Sequence, residues 1–212
     1  MLYVFFYLVS IHSLSNVMHN IPAIKFKNAK IVYNLFQILA NTLITYHLYR
    51  LLNCRLSNPF GINTEFNNEI HNYIHSHYIL KYFDFMDTFF IICNKNTRQL
   101  TFLHIYHHSS ILLLWKYAIY IGDANGTVAF SAMINGFIHV IMYAHYLITS
   151  LGIQNPFKFL ITKMQMTQFV ILITHSGMAI QNDIYISKHL CVIQIIYQFI
   201  MLLLFFNFYR KN

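Results

Sequence analysis

The chain has 212 residues, of which 57% are hydrophobic, 17% aromatic and only 9% charged. Soluble domains carry about 25% charged residues, so this composition excludes an ordinary water-soluble fold and points to a polytopic membrane protein. The formal net charge of +8 does not indicate a nucleic-acid binder, because Lys and Arg sit singly between apolar runs, as membrane-flanking residues do. Three cysteines do not make a disulfide framework.

Leu2 to Val17 is a short apolar run with neither a basic leader nor a small-residue cleavage site. It reads as an abbreviated first span or anchor (residues 1–21), followed by a core of residues 22–212. Pro22, Lys25, Lys27 and Lys30 mark a basic loop before a second span, about Ile31 to Leu52. A polar loop from Asn53 to Ser76 precedes a third span, about His77 to Cys93, and a short basic turn, Asn94 to Arg98. The fourth span starts near Leu100, and Gly122 to Gly126 turn the chain into the fifth, about Thr127 to Thr149. Gly152 and Pro156 separate this from the sixth, about Phe157 to Ile180, and the seventh ends at Phe208. The expectation is an all-α protein of about seven transmembrane helices, forming a single domain. Lys25, Lys27, Lys30, Lys95, Arg98, Lys158, Lys163, Arg210 and Lys211 fall on one side, against Arg50, Arg55, Lys116 and Lys188 on the other. Nine against four places the C-terminus in the cytosol.

Four spans carry polar stripes. In the fourth, His104, His107 and His108 stand at i, i+3 and i+4, which confines three imidazoles to about 100° of one helix face. In the third, Lys81, Asp84, Asp87 and Thr88 share about 120° of arc. A charge at a helix centre costs about 2.5–3.5 kcal/mol on insertion scales, so these charges must pair or line a polar cavity. A plain structural Lys81–Asp84 pair is the simpler alternative. In the fifth, Asn135, His139, Met142, Tyr143 and Tyr146 form one stripe, with His145 to its side. In the sixth, Thr162, Gln165 and Gln168 share a face, with His175 in line with the two glutamines. By topology all four stripes occupy the cytosolic half of the membrane. That arrangement suits chemistry on the head of a lipid-like substrate whose tail lies in an apolar tunnel enclosed by the last six helices.

These residues resemble the fatty acid elongase (ELO) family of the endoplasmic reticulum. The family pattern HxxHH appears as His104-Ile105-Tyr106-His107-His108, and one like KxxExxDT as Lys81 through Asp84 and Asp87 to Thr88. The pattern NxxxHxxMYxYY appears as Asn135, His139, Met142, Tyr143, His145 and Tyr146, and TxxQxxQF as Thr162, Gln165, Gln168 and Phe169. Asn207-Phe208-Tyr209 looks like the end of the family's last helix. Asp84 stands where the family usually has Glu, and His145 where it has Tyr.

The resemblance implies condensation of malonyl-CoA with a long-chain acyl-CoA to give 3-oxoacyl-CoA, CO2 and CoA, without a cofactor or metal. His107 is the expected acyl acceptor, with His104, His108 and His139 as catalytic partners. Asn135, Tyr143, Gln165 and Gln168 are expected to donate hydrogen bonds, and Asp84 and Asp87 to orient histidines. Lys81, Lys95, Arg98 and Lys163 are candidate contacts for CoA phosphates. Implied partners are the two CoA thioesters, membrane lipid, and separate reductases and a dehydratase; a homodimer is compatible with the sequence. Tyr185, Tyr197 and Phe199 are candidates to cap the tunnel, and Cys54 and Cys191 fall on the oxidising side, where they can pair. Rival readings are a non-catalytic elongase-like protein and a membrane di-iron desaturase or hydroxylase. His71, His75 and His77 supply extra iron-type spacing for the latter, from a loop on the far side. A seven-span receptor or transporter would explain the topology but not four stripes at one depth.

Overall fold

A computed structural model describes residues 2–52, 58–121 and 126–211. Its regular elements are all helices: α1 (Leu2–His19), α2 (Lys27–Leu52), α3 (Asn68–Phe83), α4 (Phe85–Cys93), α5 (Phe102–Tyr120), α6 (Gly126–Ser150), α7 (Lys158–Asn182) and α8 (Lys188–Lys211). Helices α3 and α4 together make the expected third span, so the path is that of seven helical segments. The protein is an all-α, polytopic membrane protein.

Packing closes α2, α6, α7, α8, α5 and α3 into a ring, each against the next and α3 back against α2. Helix α1 stands outside this ring, against α4. Where α2 meets α3 and α6 the interior of the ring is polar, and its exterior is apolar. On α2, Tyr33, Gln37 and Asn41 are buried, while Val32, Leu39 and Leu43 are 67%, 63% and 59% exposed. On α8, Phe199, Leu203 and Phe206 also face outward. Lipid matches such an exterior, and the polar interior supplies the interhelical bonds that hold helices together where no hydrophobic effect can. By length and composition alone, α6 and α8 are each long and apolar enough to cross a membrane.

Two boundaries differ from those expected. The loop before the third span ends at Asn67, not Ser76, because Asn67 Oδ1 accepts from the Glu69 amide at 2.7 Å and caps a helix that begins nine residues before His77. His71, His75 and His77 therefore belong to α3 rather than to a loop, and His77 is fully buried, edge-on to Trp115. The third span is also not continuous: it breaks at Asp84. The fourth begins where Thr101 Oγ1 accepts from the His104 amide at 3.2 Å. That cap places His104 in the first turn of α5.

The ring encloses a narrow cavity of about 40 Å³. Its walls come from α5, α6, α7 and α8. His107, Asn135 and Gln168 contribute polar groups, and Trp115, Val128 and Leu190 are among its apolar residues.

Candidate active site

The break at Asp84 has a tertiary cause. In an uninterrupted helix the Phe83 carbonyl would accept from the Asp87 amide. Here the Tyr33 hydroxyl, from α2, donates to that carbonyl at 3.0 Å, and the Asp87 amide bonds Asp84 O instead, at 3.2 Å. The tightened turn brings two carboxylates to one phenol. Tyr143 Oη donates to Asp87 Oδ2 at 2.7 Å and lies 3.1 Å from both Asp84 Oδ1 and Tyr33 Oη. Gln37 Nε2 spends its two protons on Tyr33 Oη (3.0 Å) and Asp84 Oδ1 (2.9 Å). Asn41 Nδ2 holds Gln37 from below through Gln37 O at 2.8 Å.

Lys81 stands beside this group, 1% exposed. Its ammonium lies 3.4 Å from Asp84 Oδ2, donates to Asn135 Oδ1 at 3.0 Å, and faces His139 Nε2 at 3.5 Å. His139 Nδ1 is buried with no hydrogen-bond partner among the described residues, 3.9 Å from Asp84 Oδ2. The simple ion pair considered from sequence is thus present, but embedded in a network drawn from α2, α3 and α6.

The histidine face of α5 lies alongside. His104 and His108 rings are 4.2 Å apart between centroids, His107 and His108 5.5 Å. Thr88 Oγ1 lies 2.8 Å from His104 Nε2, and Tyr7 Oη 2.8 Å from Thr88 Oγ1. On the other side, His107 Nδ1 is 3.4 Å from Tyr197 Oη, which is 3.2 Å from Ser110 Oγ. His107 lines the cavity together with Asn135, Gln168 and Tyr197. One end of the cavity is therefore imidazole, amide and phenol, and the rest is mostly hydrocarbon.

The four sequence stripes thus converge, with exceptions among individual residues. Gln165 stands apart from the histidines, its amide donating to Met142 Sδ at 3.6 Å. His175, read as in line with the glutamines, instead bonds Phe60 O through Nε2 at 3.2 Å and stacks on Phe130, a packing role. His145 Nδ1 accepts from Asn155 Nδ2 at 2.8 Å and ties α6 to the turn before α7. Of the four basic residues grouped for CoA, Lys95, Arg98 and Lys163 are exposed, whereas Lys81 is interior and bound to the carboxylate network. Lys95 Nζ donates to His19 O at 3.2 Å, and Lys163 Nζ lies over Phe159. Tyr197 does not cap the far end of the cavity; it stands at the histidines, while Phe199 and Tyr185 are exposed. Cys191 is buried, and Cys54 lies outside the described residues, so their pairing does too.

Sequence reasoning missed Tyr33, Gln37 and Asn41 of α2, and Tyr7 of α1. The signal for the first three was their spacing of four residues, blurred by Asn34, Thr42 and Thr45 in the same span. For Tyr7 there was none.

The family model described as "ELO: GNS1/SUR4 family" matches residues 1–212. "Fatty acid elongase 4" of Trypanosoma brucei brucei is 38% identical over 206 residues, covering 97% of this chain and 81% of the relative. "Fatty acid elongase 5" of Leishmania major is 39% identical, covering 97% and 82%. "Very long chain fatty acid elongase 2" of Mus musculus is 30% identical over 219 residues, covering 97% and 73%. A polar centre built from the four motifs at the head of an apolar cavity accompanies that similarity, and the chain belongs to the ELO (GNS1/SUR4) family.

Proposed function

We propose that this member of the elongase family carries out the condensing step of fatty acid elongation. In that step malonyl-CoA and a long-chain acyl-CoA give 3-oxoacyl-CoA, CO2 and CoA. The observation that carries the reading is the cavity, a hydrocarbon-lined chamber whose polar end holds His107, Asn135 and Gln168. The narrow cavity marks the path an acyl tail would take as its walls part on binding, with the thioester stopping at the imidazole.

His107 attacks the acyl carbonyl, the acyl–sulfur bond breaks, and CoA leaves as its thiol, giving an acyl-imidazole. Tyr197 at His107 Nδ1 leaves Nε2 as the attacking nitrogen. Loss of CO2 from malonyl-CoA supplies the electron pair of an enolate. That carbon bonds the acyl carbon and returns His107 to its free form. Negative charge develops on the thioester oxygen of the enolate, where Asn135, Gln168 and the Lys81 ammonium behind Asn135 offer stabilisation. His104, His108 and His139 serve proton transfer and orientation. Asp84 and Asp87 act on the histidines through Lys81 and Tyr143 rather than by direct hydrogen bonds. The exposed Lys95, Arg98 and Lys163 are assigned to CoA phosphates, with Lys81 reserved for the reacting end. The same reading places the protein in the endoplasmic reticulum membrane with a cytosolic C-terminus, and leaves the later reductions and dehydration to separate enzymes.

The test is a microsomal assay with radiolabelled malonyl-CoA and a panel of saturated and polyunsaturated acyl-CoAs, run on the parent and His107→Ala. Incorporation by the parent, reduced at least about 100-fold in the variant, is the expected result. Normal condensation by a folded His107→Ala would remove the nucleophile assignment but keep the reaction. No incorporation from well-expressed parent with any acyl-CoA would overturn the reading in favour of a non-catalytic homologue.

A further inference from the structure

We propose that Tyr7, on the helix outside the ring, is a positioning residue that fixes the orientation and tautomer of His104 through Thr88. The inference rests on the condensation reading for its kinetic consequence, but its geometry stands by itself.

Tyr7 is 5% exposed and Thr88 2%. Tyr7 Oη lies 2.8 Å from Thr88 Oγ1, and Thr88 Oγ1 2.8 Å from His104 Nε2. The Tyr7 ring lies parallel to Phe85, with centroids 4.0 Å apart and an interplanar angle of 12°, so the phenol is clamped as well as bonded. Three elements therefore meet in one line of hydrogen bonds: α1, α4 and the first turn of α5.

Proton bookkeeping gives that line a direction. Each hydroxyl has one proton to donate. Among the described residues Thr88 is the hydrogen-bond partner of Tyr7 Oη, so the phenol satisfies its buried O–H only by donating to Thr88. Thr88 then gives its own proton to His104 Nε2. An Nε2 that accepts fixes the ring proton on Nδ1. Reversing the line would bury the phenolic O–H without an acceptor.

The His104 backbone is fixed by the Thr101 cap, but that cap says nothing about the ring. Thr88 and the His108 ring at 4.2 Å are what set the imidazole plane. The ring in turn sets His108, which touches His107. A hydroxyl on the outer helix thus reaches the reacting histidine through three side chains, Thr88, His104 and His108, and α1 becomes part of the site's support rather than an anchor alone.

The test uses the full chain with ¹⁵N-labelled histidine, and four variants: Tyr7→Phe, Thr88→Val, Thr88→Ser, and the Tyr7→Phe/Thr88→Val pair. Tyr7→Phe keeps the stack on Phe85 and removes only the hydroxyl. Expected are a kcat about tenfold lower with KM within about twofold, and a rise in the Nε2-protonated tautomer of His104. Thr88→Val falls further and Thr88→Ser recovers most of the loss. The pair is no worse than Thr88→Val alone, because both remove the same line. Tyr7→Phe with parent kcat and an unchanged His104 tautomer would overturn the proposal. A parent that does not condense overturns the function reading instead, and the ¹⁵N spectrum of Tyr7→Phe still decides the relay.

Discussion

Lys81 and Asp84 lie 1% and 3% exposed inside a membrane protein, so each exists as an ion only because the other is there. The pair is 3.4 Å apart, and its remaining valences go to neutral groups: Gln37 and Tyr143 on the carboxylate, Asn135 and His139 around the ammonium. Replacing one member leaves the other uncompensated. Asp84→Asn is expected to destabilise the protein by about 3–5 kcal/mol, read as a lower unfolding midpoint in detergent. Lys81→Met added to Asp84→Asn is expected to restore most of that midpoint without restoring activity. A single Asp84→Asn as stable as the parent would show that the carboxylate is not the partner that keeps Lys81 in place. The polar residues of this cluster on α3 and α6 were legible because charge and imidazole are conspicuous in apolar spans. Tyr33 and Gln37 were not, because one Tyr among 16 and one neutral amide carry little signal. Only the closing of α2 onto α3 shows which way they face.

At the scale of elements, the break between α3 and α4 and the contact between α2 and α6 have opposite legibility. No Gly or Pro stands at the break; a phenol from another helix takes the Phe83 carbonyl, and no local pattern encodes that. The spans themselves were readable from hydropathy and turn residues, and α1, α6 and α7 begin and end within two residues of where those signals put them. Gly136, in contrast, is a visible small residue in a membrane helix, the kind that lets two backbones approach. A Cβ built there would collide with Thr45 Oγ1. Gly136→Ala therefore forces α2 and α6 apart or turns Thr45 out of place, at a cost of about 1–3 kcal/mol. Thr45→Ala removes the obstructing hydroxyl, so the Gly136→Ala/Thr45→Ala pair is expected to unfold within about 1 kcal/mol of Thr45→Ala alone. Equal losses from Gly136→Ala in both backgrounds would mean that the contact is not what the glycine serves. Because α2 carries Tyr33 and Gln37, the same variant is also expected to lower condensation.

For the whole molecule, the ring must be fastened at its ends as well as packed along its length. Asp183, between α7 and α8 and 1% exposed, ties three parts of the chain together. Its Oδ2 accepts from the Asn63 amide at 3.0 Å and from Thr127 at the start of α6, and its Oδ1 from the Tyr185 and Ile186 amides at 2.8 and 3.3 Å. Asn63, in the left-handed region with φ of 62°, returns bonds to Asn182 O and the Ile184 amide. Burial by itself would raise the Asp183 carboxyl, but the bonds from Thr127 and the three amides favour the anion and hold it below the usual carboxylate range. A group depressed in the folded state leaves the unfolded chain with more bound protons near its ordinary value of about 3.9. Its contribution is therefore complete above that value and disappears as pH falls through the folded one. Asp183→Asn keeps the shape and loses the charge, so at pH 7 it is expected to cost about 1–3 kcal/mol. Unfolding midpoints of parent and variant in detergent should differ fully at pH 7 and converge below about pH 4. A difference that is the same at pH 3 and pH 7 would assign the latch to shape rather than charge. Were the latch to open, α6, α7 and the loop before α3 would lose their common tie, and the cavity that α6 and α7 help to wall would lose its fixed depth.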